Sequence, residues 1–498
     1  MTTALEWTEL CSEHSKALCG DMEDRMPHRT LSGAITRAPA LAVLVVALLA
    51  GRFLSWAEDT DLKIRTPEDD LPSAALGDCR VDFTRNGAFV VSTNRRYLFD
   101  GGLIYATPQW TEWGPQIWRS APDDSWALDS EHGTRLVTHG TLFDFRGNQR
   151  FTFAEQAETG PGALQLSYQI TPLAGGELAK FGVVLHFPIA ETAGAEATFW
   201  PGFRRQIMPA EFKEEALASG SARGVVIRVA GDPRAAVIGR GSMNWTLHDD
   251  RKWELNTFRL MGGDPAVEQA LSSGKPASLS FEVLLGDAVA QRVPLGAGQC
   301  ETDRYGRIAL VASGRRIAEG GLAWKGEPLR WLHESSTPFV PPTPGPASRM
   351  TYTVTDDSGS ELICSLGTRS EAGSGLTASY TARRPKAQEA TREIELILAV
   401  PVSETVSTPR LQDLPGSPVG PASSGSRPRY AIQVAYRDGH VLELAAGQPW
   451  RTGNATVSDV ECYLLCVPTE TTEGEDLRAS LVLHLAREQG PESEEHPR

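Results

Sequence analysis

Apolar and polar residues alternate along much of the chain after residue 76, and this pattern predicts β-strands. Every second residue of Leu164–Ile170 is apolar, and Ile394–Val400 repeats the pattern. Because successive side chains of a strand point to opposite faces, each run predicts a half-buried strand. Turn residues at Arg146–Gln149 and Arg437–His440 lie between such runs and predict two β-hairpins.

Helical periodicity is scarce, and only two short helices are predicted, at Pro209–Ser219 and Pro265–Ser272. Gly, Pro or Asn interrupts the strand pattern about every 10 residues, a spacing typical of antiparallel sandwiches. The sequence therefore predicts an all-β protein.

The strand-rich region contains the same pattern twice. Matching segments occur in the same order, and the separation between paired residues falls from 221 to 200 along the chain: Cys79 and Cys300, Tyr97–Leu103 and Arg316–Leu322, Phe187–Glu191 and Val400–Glu404, Trp245 and Trp450, Ser280–Leu285 and Ser480–Leu485. Two copies that gained and lost loops would show this steady drift. We therefore expect two tandem, homologous antiparallel β-sandwich domains, at 77–295 and 296–487. A linker at 58–76 precedes them, and a disordered acidic tail follows at 488–498.

An apolar stretch, Ala38–Gly51, follows several basic residues and precedes Ser55-Trp56-Ala57, which is typical of a signal cleavage site. Residues 1–57 are therefore interpreted as a leader. Segment 38–56 is either a signal that is cleaved near Ala57 or a membrane anchor that is retained, and in both cases the rest of the chain is exported. Any membrane contact would be made by 38–56, if it is uncleaved.

The formal net charge of −15 disfavours nucleic acid as a partner. The common phosphate-binding, serine-hydrolase and zinc-protease motifs are absent, so the sequence predicts no cofactor and no metal site. Five cysteines follow the leader, an odd number, and Cys462 and Cys466 fall on one predicted strand, too far apart to bond each other. Buried free thiols are expected.

The densest aromatic segment is Tyr105–Arg119, followed by Trp126. Aromatic rings with polar groups between them can form a stacking platform for sugars. The predicted ligand-binding residues are Gln109, Trp110, Glu112, Trp113, Trp118 and Arg119. The structural alternative is that these tryptophans cover an open end of the sandwich.

Arg204 and Arg205 follow Trp200 and Phe203, and such a pair suits a carboxylate or sulfate on an acidic glycan. A solvated turn that offsets nearby glutamates is the alternative for this pair. The candidates for acid–base catalysis are His132, His139 and Glu112.

Two-sheet units of this size, with aromatic and histidine-bearing loops on an exported chain, resemble the large β-sandwiches of carbohydrate-active proteins, including mutarotase-like and polysaccharide-lyase folds. The resemblance is one of architecture, and it implies no catalytic residue.

The function hypothesis is that the first domain binds a carbohydrate or another cell-envelope polymer. A carbohydrate-active lyase, hydrolase or epimerase is the first alternative. The absence of a catalytic motif is weak evidence against it, because the paired carboxylates of such enzymes have no fixed local spacing. An envelope scaffold that contacts a partner protein is the second alternative.

Overall fold

The computed structural model confirms an all-β protein. It describes residues 73–487 except 85, 94–95, 117–125, 130–134, 161, 230–231, 327–328, 335, 339–346, 356–360, 371–374, 384–392, 413–429, 447–449, 458 and 472–476. The predicted leader, most of the linker and the acidic tail lie outside the described residues. Within the described residues, none of the helices combines the length and the apolar character that a membrane span needs.

The first half of the chain contains sixteen described strands. They are β1 Ser73–Leu76, β2 Cys79–Phe83, β3 Phe89–Thr93, β4 Arg96–Ala106, β5 Trp113–Pro115, β6 Trp126–Asp129, β7 Arg135–Phe143, β8 Gln149–Gly160, β9 Ala163–Pro172, β10 Lys180–Pro188, β11 Glu196–Trp200, β12 Arg205–Ile207, β13 Ala216–Val229, β14 Asp232–Asp249, β15 Thr257–Gly263 and β16 Ala277–Leu285. Helices α1 (Ile189–Thr192) and α2 (Pro265–Ser272) and 3₁₀ turns at Pro108–Trp110, Asp250–Trp253 and Gly286–Ala288 lie between them.

The second half continues with seventeen described strands. They are β17 Gln291–Leu295, β18 Gly298–Thr302, β19 Ile308–Ala312, β20 Arg315–Trp324, β21 Arg330–Trp331, β22 Ser336–Pro338, β23 Ala347–Thr355, β24 Glu361–Ser370, β25 Gly375–Arg383, β26 Ile394–Pro401, β27 Arg410–Gln412, β28 Tyr430–Ala435, β29 His440–Ala446, β30 Arg451–Val457, β31 Val460–Pro468, β32 Glu470–Thr471 and β33 Leu477–Arg487. The 3₁₀ turns here are Leu332–Glu334 and Val402–Glu404.

Each half is a sandwich of two antiparallel layers. In the first half, layer one has the order β1-β2-β3-β4-β10-β15-β14, and layer two has the order β14-β16-β9-β8-β7-β6, with β13, β11 and β12 attached. The long strand β14 belongs to both layers. In the second half, the layers are β17-β18-β19-β20-β26-β31-β30 and β22-β23-β24-β25-β33-β29-β28-β27. Apolar side chains from both layers fill a separate core in each half.

The second half repeats the strand order of the first. Strand β20 pairs with β26 as β4 pairs with β10, and β31 then follows β26 as β15 follows β10. Strands β25 and β33 likewise correspond to β9 and β16. The registers make Trp245, which opposes Gly262, equivalent to Trp450, the residue before β30. The structure therefore shows two tandem, related sandwiches, here called the first and second domains.

One sequence pairing is out of register. Val81 opposes Val91 in the first domain, whereas Cys300 opposes Leu310 at the equivalent place in the second. Cys300 is therefore equivalent to Val81 and not to Cys79. The loops that follow, at 84–88 and 303–307, have the same length, so the apparent match of the two cysteines comes from a shift of two residues.

The local predictions have mixed outcomes. Both predicted hairpins form, as β7–β8 and β28–β29, and α2 spans the predicted Pro265–Ser272. The helix expected at Pro209–Ser219 is wrong, because β13 begins at Ala216 and extends the sheet with β14. Tertiary pairing here overrides a weak helix preference. All five described cysteines are free.

The two domains share a buried interface. Trp200 of the first domain packs on Tyr305 of the second, and its indole N–H donates to Asp303. The guanidinium of Arg228 forms two hydrogen bonds with Glu301, at 2.6 and 2.5 Å, and both side chains are almost fully buried. The outward face of layer two in the first domain is thus covered by the outward face of layer one in the second.

Candidate functional site

The outward face of layer one in the first domain carries a row of ionisable side chains. Asp100 on β4 opposes His186 on β10, His186 opposes Arg259 on β15, and Arg259 opposes His248 on β14. Directly opposed residues of antiparallel strands point to the same side of the sheet. We call these four residues the polar row. The sheet therefore places charged and titratable groups from four strands side by side.

One end of the polar row is a chain of hydrogen bonds. The Nδ1 atom of His186 lies 2.8 Å from a carboxylate oxygen of Asp100, and the hydroxyl of Tyr97 donates to the other oxygen at 2.6 Å. A carboxylate that accepts from an imidazole fixes the orientation and the tautomer of the ring. Nε2 is therefore the ring nitrogen of His186 that does not contact Asp100.

Lys180 begins β10 and extends over the same face. Its ammonium donates to the hydroxyl of Thr246 at 3.1 Å, and its chain lies over Gly263, where a Cβ atom would come within 3.2 Å of Lys180 Cε. The same Cβ would lie 2.2 Å from Glu268 Oε1. Glycine at 263 therefore makes room for both a lysine and a glutamate on the face.

Three pKa shifts occur around this face. Burial, with the charges of Arg259 and Lys180, lowers the pKa of His248 to about 4. Burial also lowers the pKa of Lys180 to about 8, against the attraction of Glu268, and burial raises the pKa of Glu268. Clusters of shifted pKa values are common at functional sites. His248 is therefore neutral at pH 7.

An exposed tryptophan leans over the polar row. Trp110 is 39% exposed, its ring centre lies 5.8 Å from the guanidinium carbon of Arg259, and it packs edge-on against Trp113. Both Gln109 and Trp110 have φ near +57°. Residues with side chains rarely adopt this conformation, and such strain is concentrated at functional sites.

Thr107 holds the strained loop closed at its base. Its backbone N–H donates to the carbonyl of Glu112, and its hydroxyl oxygen accepts from the backbone N–H of Glu112, both at 2.9 Å. The hydroxyls of Thr107 and Thr111 are also 2.9 Å apart. These hydrogen bonds thus stabilise a backbone conformation that is unfavourable for Gln109 and Trp110 on their own.

A second tryptophan lies beyond the other side of Arg259. Asp250 is 3.1 Å from the Arg259 guanidinium and belongs to the same 3₁₀ turn as Trp253. The indole N–H of Trp253 points to Glu215 at 3.4 Å, and the Lys252 ammonium lies 5.0 Å from its ring centre. Glu215 precedes β13 and also binds Lys252 at 2.6 Å. These contacts fix the plane of the Trp253 ring.

Part of the predicted binding segment comes together here. Gln109, Trp110 and Trp113 form or flank the exposed loop. Glu112 forms an ion pair with Arg150 on β8, at 2.7 Å. Glu112 therefore makes a structural ion pair at the base of the loop, and its predicted roles in binding and catalysis stay predictions. The side chains of Trp118, Arg119 and His132 lie outside the described residues.

The remaining predicted residues lie elsewhere. Arg204 packs on Phe199 and approaches Asp459 of the second domain at 3.5 Å, whereas Arg205 lies 3.6 Å from Glu196. Arg204 therefore borders the domain interface, whereas Arg205 contacts the first domain. His139 is exposed on β7, in layer two. The structure does not bring these three residues to the polar row.

Sequence reasoning did not select Lys180, His186, His248, Trp253 or Arg259 as site residues. They come from three strands, β10, β14 and β15, and from the turn before β15, so no local spacing connects them all. Alternation could have grouped some of them, because Lys180 and His186 are an even number of residues apart and therefore lie on the same face of β10. In the part of the chain that the structure describes, no group of three His, Cys, Asp or Glu side chains could hold a metal ion.

The equivalent face of the second domain is occupied. The residues at the four positions of the polar row are Glu319, Ala399, Leu464 and Gly453. The loop after Trp200 lies on this face: the N–H of Gly202 donates to Glu319 at 3.1 Å, and Arg316 donates to the carbonyl of Gly202 at 2.5 Å. Phe203 packs on the apolar part.

No profile of a protein family matches the chain, and curated proteins give no match either. Among solved structures, an X-ray structure at 1.9 Å resolution of a galactose mutarotase-related enzyme from Lactobacillus acidophilus is similar. The identity is 9%, the TM-score is 0.28, and the match covers 43% of this chain and 97% of that one. The resemblance to carbohydrate-active sandwiches therefore stays at the level of an all-β architecture.

Proposed function

We propose that the first domain binds a carbohydrate on the face that carries the polar row and Trp110. The observation that carries this proposal is Trp110 itself, an exposed aromatic ring held in a strained backbone conformation beside Arg259. Sugar rings present apolar faces that stack on tryptophan and hydroxyl groups that need polar partners. The polar row supplies those partners within reach of the ring.

Two atoms of the polar row favour a hydroxyl-bearing ligand. Among the described residues, neither Nδ1 of His248 nor Nε of Arg259 has a hydrogen-bond partner. Buried polar atoms are rarely left without one. Both atoms are buried. A sugar hydroxyl that reached them would donate to the neutral His248 and accept from Arg259, and it would then supply both missing bonds.

The repeat gives independent support for binding on this face. In the second domain the equivalent face contacts a loop through Glu319 and Arg316, with an apolar surface beside them. The first domain presents ionisable groups at the polar row, and its apolar cluster on this face is confined to the neighbouring Ile104, Val184 and Met261. A polar ligand therefore suits the first domain better than another sandwich would.

Titration with a panel of oligosaccharides tests the proposal. Trp110→Gly should weaken binding by about tenfold or more, because it removes the stacking ring and leaves the left-handed backbone conformation acceptable. Tyr463→Ala is the matched control, since Tyr463 lines a shallow groove of the second domain with Thr452 and Asn454. Equal loss from both variants, or none from Trp110→Gly, would contradict the proposal.

An enzyme acting on carbohydrate is the second candidate, and the hydrogen-bonded Tyr97, Asp100 and His186 favour it. A histidine oriented by a carboxylate can act as a general acid or base. Release of new reducing ends or of an unsaturated sugar from a bound oligosaccharide would establish this activity, and His186→Gln should then abolish it while binding persists. Binding without any turnover would leave the carbohydrate-binding function alone.

Export of the protein remains a proposal that rests on the apolar segment 38–56. Polysaccharides of the cell envelope would be accessible to an exported chain. Sequencing the N-terminus of protein from the producing cell should find Glu58 first if the leader is cleaved, whereas an intact chain in the membrane fraction would establish an anchor.

A further inference from the structure

Trp110 and Trp253 approach the polar row from opposite ends of its strands. Trp110 follows β4, whose last residues oppose Lys180 at the start of β10. Trp253 precedes β15, whose first residue opposes Pro188 at the end of β10. The Trp110 ring reaches inward as far as Arg259, the third residue of β15. The two tryptophans therefore border the polar row from the two ends of its strands.

Arg259 separates the two rings. Its guanidinium carbon lies 5.8 Å from the centre of the Trp110 ring, and its Nη2 lies 3.1 Å from Asp250, which is in the turn that carries Trp253. Rings that contact each other have centres about 4.5–7 Å apart. The contacts that connect the two indoles run through the Arg259 guanidinium and the turn of Asp250, so we expect one sugar ring to be too short to stack on both.

Both rings are held in place before any ligand binds. The loop bonds of Thr107 fix Trp110, while Glu215 and Lys252 fix Trp253. Preorganised aromatic groups lose little conformational freedom on binding, which favours affinity. Lys180, His186 and His248 supply polar groups along the surface between the rings.

From this arrangement, and on the basis of the proposed carbohydrate-binding function, we infer that the ligand is an internal segment of a linear oligosaccharide or polysaccharide that contacts Trp110 and Trp253 at once. The inference excludes a monosaccharide as the natural ligand. It also assigns Trp253 as a binding residue that recognises the length of the chain.

Calorimetric titration with sugars of one to six units tests the inference. Five series are used: β-1,4-linked glucose, xylose, mannose and N-acetylglucosamine, and α-1,4-linked galacturonate. In the series that binds, affinity should rise by at least about tenfold between one and six units, as expected when a second stacking contact is added. Affinity that is the same for the monosaccharide and the hexasaccharide would overturn the inference and leave the proposed function standing.

Variants of Trp253 make the test specific. Trp253→Ala should lower the affinity for the hexasaccharide by about tenfold and leave that for the shortest bound sugar unchanged, whereas Trp253→Phe should keep most of the long-chain affinity. A Trp253→Ala protein that folds and binds the hexasaccharide like the wild type would overturn the inference. If Trp253→Ala does not fold, the length series still decides.

Failure of the proposed function has a different signature. In that case no sugar of any length in the five series binds at millimolar concentration, and Trp110→Gly changes nothing. Binding that depends on Trp110 but not on chain length would support the proposed function and overturn only the inference about chain length.

Discussion

The same outward face has two chemistries in the two domains. In the second domain it is largely apolar, with buried Glu319 bound to Arg307 and Arg316, and it is covered by the loop after Trp200. In the first domain the equivalent positions are the polar row. The comparison shows that a fold fixes where a face lies, while the residues on the face determine whether it packs against a domain or presents functional groups.

Buried charge distinguishes the two faces most strongly. Glu319 is fully buried between Arg307 and Arg316, whereas Asp100 at the equivalent position is bound by Tyr97 and the part-exposed His186. Glu319→Ala should cost about 3–5 kcal/mol of unfolding free energy, because it leaves buried arginines without their carboxylate. Asp100→Ala should cost less, about 1–3 kcal/mol. Denaturant unfolding of both variants measures the difference, and equal costs would contradict the comparison.

The ion pair across the domain interface should behave in the same way. Arg228→Met leaves Glu301 buried and unpaired, so we expect a loss of about 3–5 kcal/mol. The double variant Arg228→Met with Glu301→Met should recover most of that loss, because it removes both charges. If the double variant is as unstable as the single one, the pair contributes through packing and not through charge.

The core of the first domain contains a carboxyl group where the second has a leucine. Glu155 opposes Tyr168 in the first domain, and Leu366 opposes Tyr380 at the equivalent place. Burial raises the pKa of Glu155 to about 8, against the hydrogen bonds from Gln116 and Tyr168. Between the ordinary glutamate pKa and about 8, the folded state therefore holds one proton more than the unfolded state, and stability falls as pH rises.

The expected loss is about 1.4 kcal/mol per pH unit in that window. Glu155→Gln should remove this dependence, so the stability of the wild type relative to the variant should fall by about that amount between pH 6 and pH 7. Denaturant midpoints at the two pH values provide the measurement. Parallel curves for both proteins would show that Glu155 is ionised in the fold.

The smallest expected effect on stability is at Trp110. Trp110→Gly relieves a strained φ and removes an exposed ring, so the unfolding free energy should change by no more than about 1 kcal/mol. The buried Trp331 of the second domain is the control, since Trp331→Gly should cost about 3–5 kcal/mol. A large loss at Trp110 would favour the structural alternative, in which the tryptophans only cover the sandwich.

The sequence predicted the fold better than the site. Alternation and turn residues are local, so strands such as Ala163–Pro172 and the hairpin around Gly439 could be predicted, and the order of matching segments predicted the duplication. The site depends on strand pairing between residues far apart in sequence: His186, Arg259 and His248 become neighbours only through the register of β10, β15 and β14. Trp110 could be selected as a candidate because its aromatic segment is continuous in the sequence, and its role in binding stays a prediction.

Hydrogen–deuterium exchange with and without the tightest-binding hexasaccharide tests the central difference between the faces most directly. Exchange should slow at residues 107–112, 180–188 and 250–263 of the first domain and stay unchanged at the equivalent strands 394–401 and 460–468 of the second, where the face is already covered. Protection confined to the second domain, or shared equally by both, would contradict the account.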